Sequence, residues 1–312
     1  MNHKKYRNLS LSFFLPVFLI AWLSTGPAFA ADTYYKPFVL ASVDSNTDMA
    51  AVVASVQKKL TDNGFDVVGN YSPYDGATIL IVTNASLKQN AAASDFGAFG
   101  AIERVAVTKA KDGMQISYTN PIYMANAYRM KSDLTDVTAA LTKALGHEKE
   151  FGSKKGLTKE ELREYHYKWL MPYFDDRLRL ASYSDYQTAI KTVEKNLQNN
   201  KPKASQVYRV DLPGKQETII GLKIPGVLGT ECAGGKYIMS RIDFKDMKST
   251  AHLPYEIVID KGQVVALPAE FRIAINFPDL SMIGSNSFAS IMCAPDAYKT
   301  ALTIVAGGDL DN

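Results

Sequence analysis

The chain has 312 residues, 46% apolar and 21% charged, with 13 Pro, 20 Gly and only 2 Cys. That composition excludes collagen-like, low-complexity and disulfide-scaffold classes and leaves a folded globular protein. The formal charge of +3 comes from Lys4, Lys5 and Arg7, in an opening stretch without Asp or Glu; beyond it, cations and anions balance. Phosphate recognition needs clustered, uncompensated cations, so nucleic acid and anionic membrane are not expected partners.

Residues 1–30 read as a secretory signal peptide: the basic start, an apolar stretch over residues 11–23, and the small-residue end Ala28-Phe29-Ala30 before Ala31. Pro16 interrupts the apolar stretch, which is short for a bilayer of roughly 30 Å, so cleavage is expected rather than a retained anchor. The residue after the cut is not Cys, which removes a lipoprotein anchor. A soluble protein exported to a periplasm or beyond is expected, with no membrane association after cleavage.

Residues 34–42 alternate as a strand. Met49, Val52, Val53, Val56 and Leu60 then recur at helical spacing before Gly64. Strand-like runs follow at 65–71 and 78–83, then a small-residue loop at 90–100. Runs at 102–108 and 114–118 flank Lys111-Asp112-Gly113, a hairpin signal. Asn120-Pro121 ends the hairpin, and residues 133–145 read as a helix stopped by Gly146. Thr158 and Glu161 form a capping-box pattern that starts a helix through about Leu170, where Pro172 stops it. Residues 147–179 thus read as a helical, aromatic linker.

From residue 180 the pattern restarts. Leu180-Ala181-Ser182 echoes Leu40-Ala41-Ser42, and a helix opened by Ser184 and Gln187 follows, carried by Tyr186, Ile190, Val193 and Leu197. Strands are expected at 206–210, 218–224, 236–242, 255–259, 263–267 and 272–275. Asp260-Lys261-Gly262 stands where Lys111-Asp112-Gly113 stood, Asn276-Phe277-Pro278 parallels Asn120-Pro121, and a helix over 296–305 closes the chain. The expected fold is α+β: a first unit over 31–146, the linker over 147–179, and a second, diverged unit over 180–312, each running strand, helix, antiparallel strands, helix.

The first unit, through Phe65-Asp66-Val67-Val68, Gln115-Ile116-Ser117-Tyr118 and Asn120-Pro121-Ile122-Tyr123-Met124-Ala125, resembles domain-of-unknown-function family 302. The second resembles it through His252-Leu253-Pro254-Tyr255-Glu256-Ile257-Val258 and Asn276-Phe277-Pro278, and departs by extra residues at 268–271. The resemblance implies a compact antiparallel sheet with helices on one face, in two tandem copies. It carries no catalytic residue across.

Catalytic templates fail in turn. Gly229 to Lys236 approaches a phosphate loop, but Tyr237 stands where a Mg²⁺-binding hydroxyl is required. His147-Glu148 opens like a zincin helix, yet Phe151 occupies the second ligand position. Of the three histidines outside the leader, His166 has the most suggestive company, with Tyr165, Trp169, Tyr173, Asp175 and Asp176 close in sequence. Tyr165, His166, Trp169 and Tyr173 are therefore the candidate ligand-binding residues. The enzyme alternative is a hydrolase using His166 with Asp175 or Asp176. Cys232, Met239, His252, Met282, Met292 and Cys293 are soft ligands that raise a metal-carrier alternative, too scattered to form a motif, and no cofactor is expected. Cys232 and Cys293 either pair, closing a loop of about sixty residues for on the order of 4 kcal/mol, or remain two buried thiols. The expected function is binding of a small apolar ligand or of a periplasmic protein.

Overall fold

A computed structural model describes Met1 and residues 32–201, 203–226 and 231–310; the expected leader, Met1 apart, lies outside the described residues. The first half runs β1 (Phe38–Asp44), α1 (Met49–Asp62), β2 (Asp66–Tyr71), β3 (Ala77–Thr83), α2 (Ala85–Ala92), β4 (Glu103–Ala110), β5 (Gly113–Thr119), α3 (Pro121–Ala127) and α4 (Thr135–Leu145). α1 forms because Asp48 accepts from Ala50 N–H at 2.9 Å as its cap while Val52, Val56 and Leu60 bury one stripe. Each such burial contributes roughly 1.5–3 kcal/mol before the entropy of ordering. α4 ends at Gly146, whose φ of 99° suits glycine.

A connecting stretch supplies β6 (Lys149–Phe151) and α5 (Lys159–Arg163). The second half runs β7 (Leu178–Ser182), α6 (Tyr186–Gln198), β8 (Ser205–Asp211), β9 (Glu217–Lys223), α7 (Gly235–Ile242), β10 (Tyr255–Asp260), β11 (Gln263–Ala266), α8 (Ala269–Asn276) and α9 (Ala294–Ala306). The α+β class is as expected. Two antiparallel sheets form, in the order β2-β3-β4-β5-β1-β6 and β7-β11-β10-β9-β8. Omitting the edge strand β6, the two orders coincide when each half is numbered from its own first strand. The bulges coincide as well: the register shifts between Val67 and Gly69 in β2 and between Gln206 and Tyr208 in β8.

Several elements differ from the sequence expectations. Residues 236–242 form α7 rather than a strand, with Ile238, Met239 and Ile242 buried, and residues 272–275 lie within α8. Residues 272–275 belong to a short apolar run, whose period does not separate a buried strand from a buried helix, whereas residues 236–242 bury positions at helical spacing between exposed Lys236 and Ser240. Asn276 therefore ends a helix, and the counterpart of Pro121 at the head of α3 is Pro268 at the head of α8. The residues read as an insertion at 268–271 open that helix. The helix begun by the Thr158–Glu161 capping box is real but ends at Arg163. The cap of α6 is Asp185, accepting from Thr188 N–H at 2.8 Å.

β2 and β8 pack edge against edge without pairing. The central strands β4 and β10 are buried along almost their whole length, as sheets covered on both faces require. α1 and α4 pack on the first sheet, and α6 and α9 on the second. Polar ties cross between the halves: the Gln115 amide exchanges two bonds with the Lys248 backbone at 2.7 and 2.8 Å, and Glu217 accepts from Ala98 N–H at 2.9 Å. Residues from Thr33 onward form one compact unit, and no helix among the described residues is long and apolar enough to cross a membrane.

The halves meet closely at Gly69, where a Cβ would stand 2.6 Å from the Val207 carbonyl oxygen, a backbone atom that cannot turn aside. Gly69→Ala is expected to lower stability by about 1–3 kcal/mol, read as a lower urea midpoint.

Candidate functional site

The structure divides the expected aromatic segment. Tyr165 is buried and donates to the Ala274 carbonyl at 3.0 Å, and Phe174 packs in a cluster with Phe99, Tyr128 and Phe271. These side chains hold the connecting stretch onto the sheets. His166 stacks on Tyr173 with ring centroids 4.4 Å apart, while Trp169 is 84% and Leu170 79% exposed. Asp175 pairs with Arg129 and Arg177, and Asp176 accepts from Tyr173 N–H at 2.8 Å. No hydrogen bond or ion pair joins His166 to Asp175 or Asp176 among the described residues, so the geometry that hydrolysis would need is not formed here.

Cys232 and Cys293 are disulfide-bonded, with Cα atoms 5.9 Å apart, tying the approach to α7 to the head of α9. Their sulfurs are thereby withdrawn from metal ligation, Met282 and Met292 are exposed, and no group of three His, Cys, Asp or Glu among the described residues could hold a metal ion.

A pocket of about 600 Å³, within the ordinary range for small ligands, lies where the end of β2, the end of β9, the head of α7, the start of β10 and α9 converge. Four tyrosines wall it: Tyr71, Tyr237, Tyr255 and Tyr298. Tyr255 and Tyr298 stack at 3.8 Å, and Leu222, Ile224 and Leu253 supply apolar surface. Lys223, Lys236 and Arg241 also line it, and no Asp or Glu among the described residues does. The Gly234-Gly235-Lys236 turn singled out in the sequence opens α7 at this wall.

Behind Tyr255 lies a buried ionic network. Arg104 on β4 donates to Glu256 on β10, and Arg272 on α8 approaches the other carboxylate oxygen at 3.5 Å. Arg272 Nη1 stands 3.3 Å from His252 Nδ1, and His252 Nε2 stands 3.3 Å from the Tyr255 hydroxyl. Burial, with the two arginines adding to it, holds His252 below its ordinary range and therefore neutral. Nothing in the spacing of Arg104, His252, Glu256 and Arg272 marks them in sequence, since the fold alone brings β4, β10 and α8 together. A signal did exist for Glu256: a charge within the apolar run of residues 255–259.

Compared with known proteins, the chain matches no family model, no curated protein and no solved structure.

Two buried carboxyls elsewhere set a pH dependence. Burial raises Glu103 to about 8, against a hydrogen bond from Thr119 and the Arg104 charge. Burial likewise raises Asp243 to about 7, against the Ser249 N–H and the Lys248 and Lys245 charges. The native state then holds protons that the unfolded chain, titrating near 4, releases. Stability is expected to fall as pH rises from about 4 to about 8, by up to roughly 1 kcal/mol per pH unit per group. Urea midpoints across that range should show the decline, and Asp243→Asn should flatten it.

Proposed function

We propose that this is an exported binding protein built from two diverged copies of a unit like family 302, and that it holds a small ligand with an apolar body in the tyrosine-walled pocket. The observation that carries the binding reading is that pocket: four tyrosines and three aliphatic side chains around about 600 Å³, a lining of the kind that sequesters flat or apolar molecules. Export is supported by the Cys232–Cys293 disulfide, a bond characteristic of oxidising compartments. Duplication is supported by the shared strand order and by the matching bulges in β2 and β8.

Phenylnaphthylamine, a neutral aromatic fluorophore, is expected to bind at one site per chain. Tyr237→Ala removes a half-buried wall of the pocket and is expected to weaken that binding about tenfold, the upper end of what one aromatic contact contributes. A chain that takes up no probe, or a variant that binds it unchanged, would overturn the assignment of this pocket.

The exposure of Trp169 and Leu170 favours a second reading, engagement of a periplasmic protein by this loop. Trp169 is the one tryptophan outside the expected leader, so tryptophan emission of the mature protein reports on this loop alone. Its emission is expected to move to shorter wavelength on titration with periplasmic extract of the host. Constant emission at saturating extract argues against the partner.

A further inference from the structure

Resting on the pocket assignment above, we infer that the ligand is an anion: a flat apolar body against the tyrosines, with a carboxylate, sulfonate or phosphate group held by Lys223, Lys236 and Arg241 and by the hydroxyls of Tyr255 and Tyr298. Three features carry this. The first is charge without compensation. Among the described residues, none of the three cations has a carboxylate within ion-pair reach and no acid lines the pocket. Arg241 lies flat over the Tyr237 ring at 3.5 Å and donates to the Tyr237 carbonyl at 3.2 Å. Its guanidinium is thereby fixed at the wall.

The second is the direction of the hydrogen bonds behind Tyr255. A guanidinium can only donate, so Arg272 gives its proton to His252 Nδ1, at 3.3 Å. In a neutral imidazole the proton then sits on Nε2 and is donated to the Tyr255 oxygen, also at 3.3 Å. That leaves the Tyr255 O–H with its own proton to give to an acceptor. The Tyr298 phenol, 3% exposed and stacked on Tyr255, has no hydrogen-bond partner among the described residues. Both residues line the pocket, and neither phenol proton is spent on an acceptor among the described residues.

The third is the charge of the network itself. Arg104 and Arg272 share the single carboxylate Glu256. Their charges reach the pocket wall: both act on Tyr71 against burial, and that of Arg272 acts on Tyr255 against burial and the Glu270 carboxylate. The head of α7 adds its N–H groups at Gly235 and Lys236.

The test compares two probes of nearly equal shape, anilinonaphthalene sulfonate and neutral phenylnaphthylamine, on the folded mature chain. The sulfonate is expected to bind the tighter, and added salt to weaken it. Removing both exposed lysines in Lys223→Ala/Lys236→Ala should weaken the sulfonate by about tenfold while moving the neutral probe less than about twofold. Tyr298→Phe keeps the stacked ring and removes only the hydroxyl; it should weaken the sulfonate several-fold and leave the neutral probe unchanged. If both probes bind but the sulfonate ignores the lysines and the salt, the anion inference fails and the pocket assignment stands. If neither binds to protein with unaltered circular dichroism, both fail.

Discussion

A single buried carboxylate shared by two buried guanidiniums is the constraint on which the two-sheet arrangement turns. Arg104 comes from β4, Glu256 from β10 and Arg272 from α8, each almost wholly buried. Taking three such charges from water costs several kcal/mol per ion, and their mutual attraction offsets this only when geometry is held closely. The fold supplies that geometry by bringing β4 and β10, the third strands of their sheets, close enough for Arg104 and Glu256 to pair. Glu256 cannot satisfy two arginines completely, and Arg104 Nε remains without a partner among the described residues. The remainder is made up by neutral acceptors: Arg272 donates to the His252 carbonyl at 2.7 Å and reaches the Pro254 carbonyl at 3.5 Å. The path from β9 to β10 is therefore shaped around a guanidinium, and the same path forms one side of the pocket.

Much of the fold was legible in the sequence where local rules and tertiary packing agree. The period of Val52, Val56 and Leu60, the Thr158–Glu161 box and the turn between β4 and β5 all survive because each is satisfied within a few residues of chain. α8 departs from the expectation because it is buried on nearly every side, so the amphipathic contrast that reveals a helix is absent. α7 does carry that contrast, burying Ile238, Met239 and Ile242 beside exposed Lys236 and Ser240, and a strand over 236–242 overlooks it. The aromatic stretch of residues 165–176 drew attention through its composition, but composition does not say which rings pack and which stand free. Tyr165 and Phe174 turned inward, while Trp169 and Tyr173 did not. The pocket escaped sequence reading altogether because Tyr71, Tyr237, Tyr255 and Tyr298 come from four separate elements with no spacing in common.

The two halves share a topology but differ in what they do with it, and the difference is concentrated in one connection. Between β3 and β4 the first half places α2 and a short 3-10 turn over Gly97–Gly100, built largely from small residues and wholly buried around Phe99. Its Ala98 N–H is spent on Glu217 of the other half. Between β9 and β10, at the same topological position, stand α7 with Lys236, Tyr237 and Arg241, the disulfide that anchors its approach, and an open pocket. The pocket is built mainly from the second half, with Tyr71 and Pro73 of the first half closing one side.

Charge balance over the whole chain and charge at this site are separate quantities. Beyond the first thirty residues the chain carries no surplus of either sign, which argues against long-range attraction to polyanions. A pocket of about 600 Å³ responds to what lies within a Debye length of about 8 Å. Among the described residues the ionisable side chains of its walls are cations and phenols, with Arg104 and Arg272 behind them. Overall neutrality and local positive potential coexist because the acids that balance the composition lie elsewhere: at the helix cap Asp185, on the exposed loop at Asp175 and Asp176, and in the bridges from Arg209 to Glu194 and Asp211. A chain whose charges balance over its whole length can thus still hold a locally positive hollow, a separation of scales available only to a recessed site.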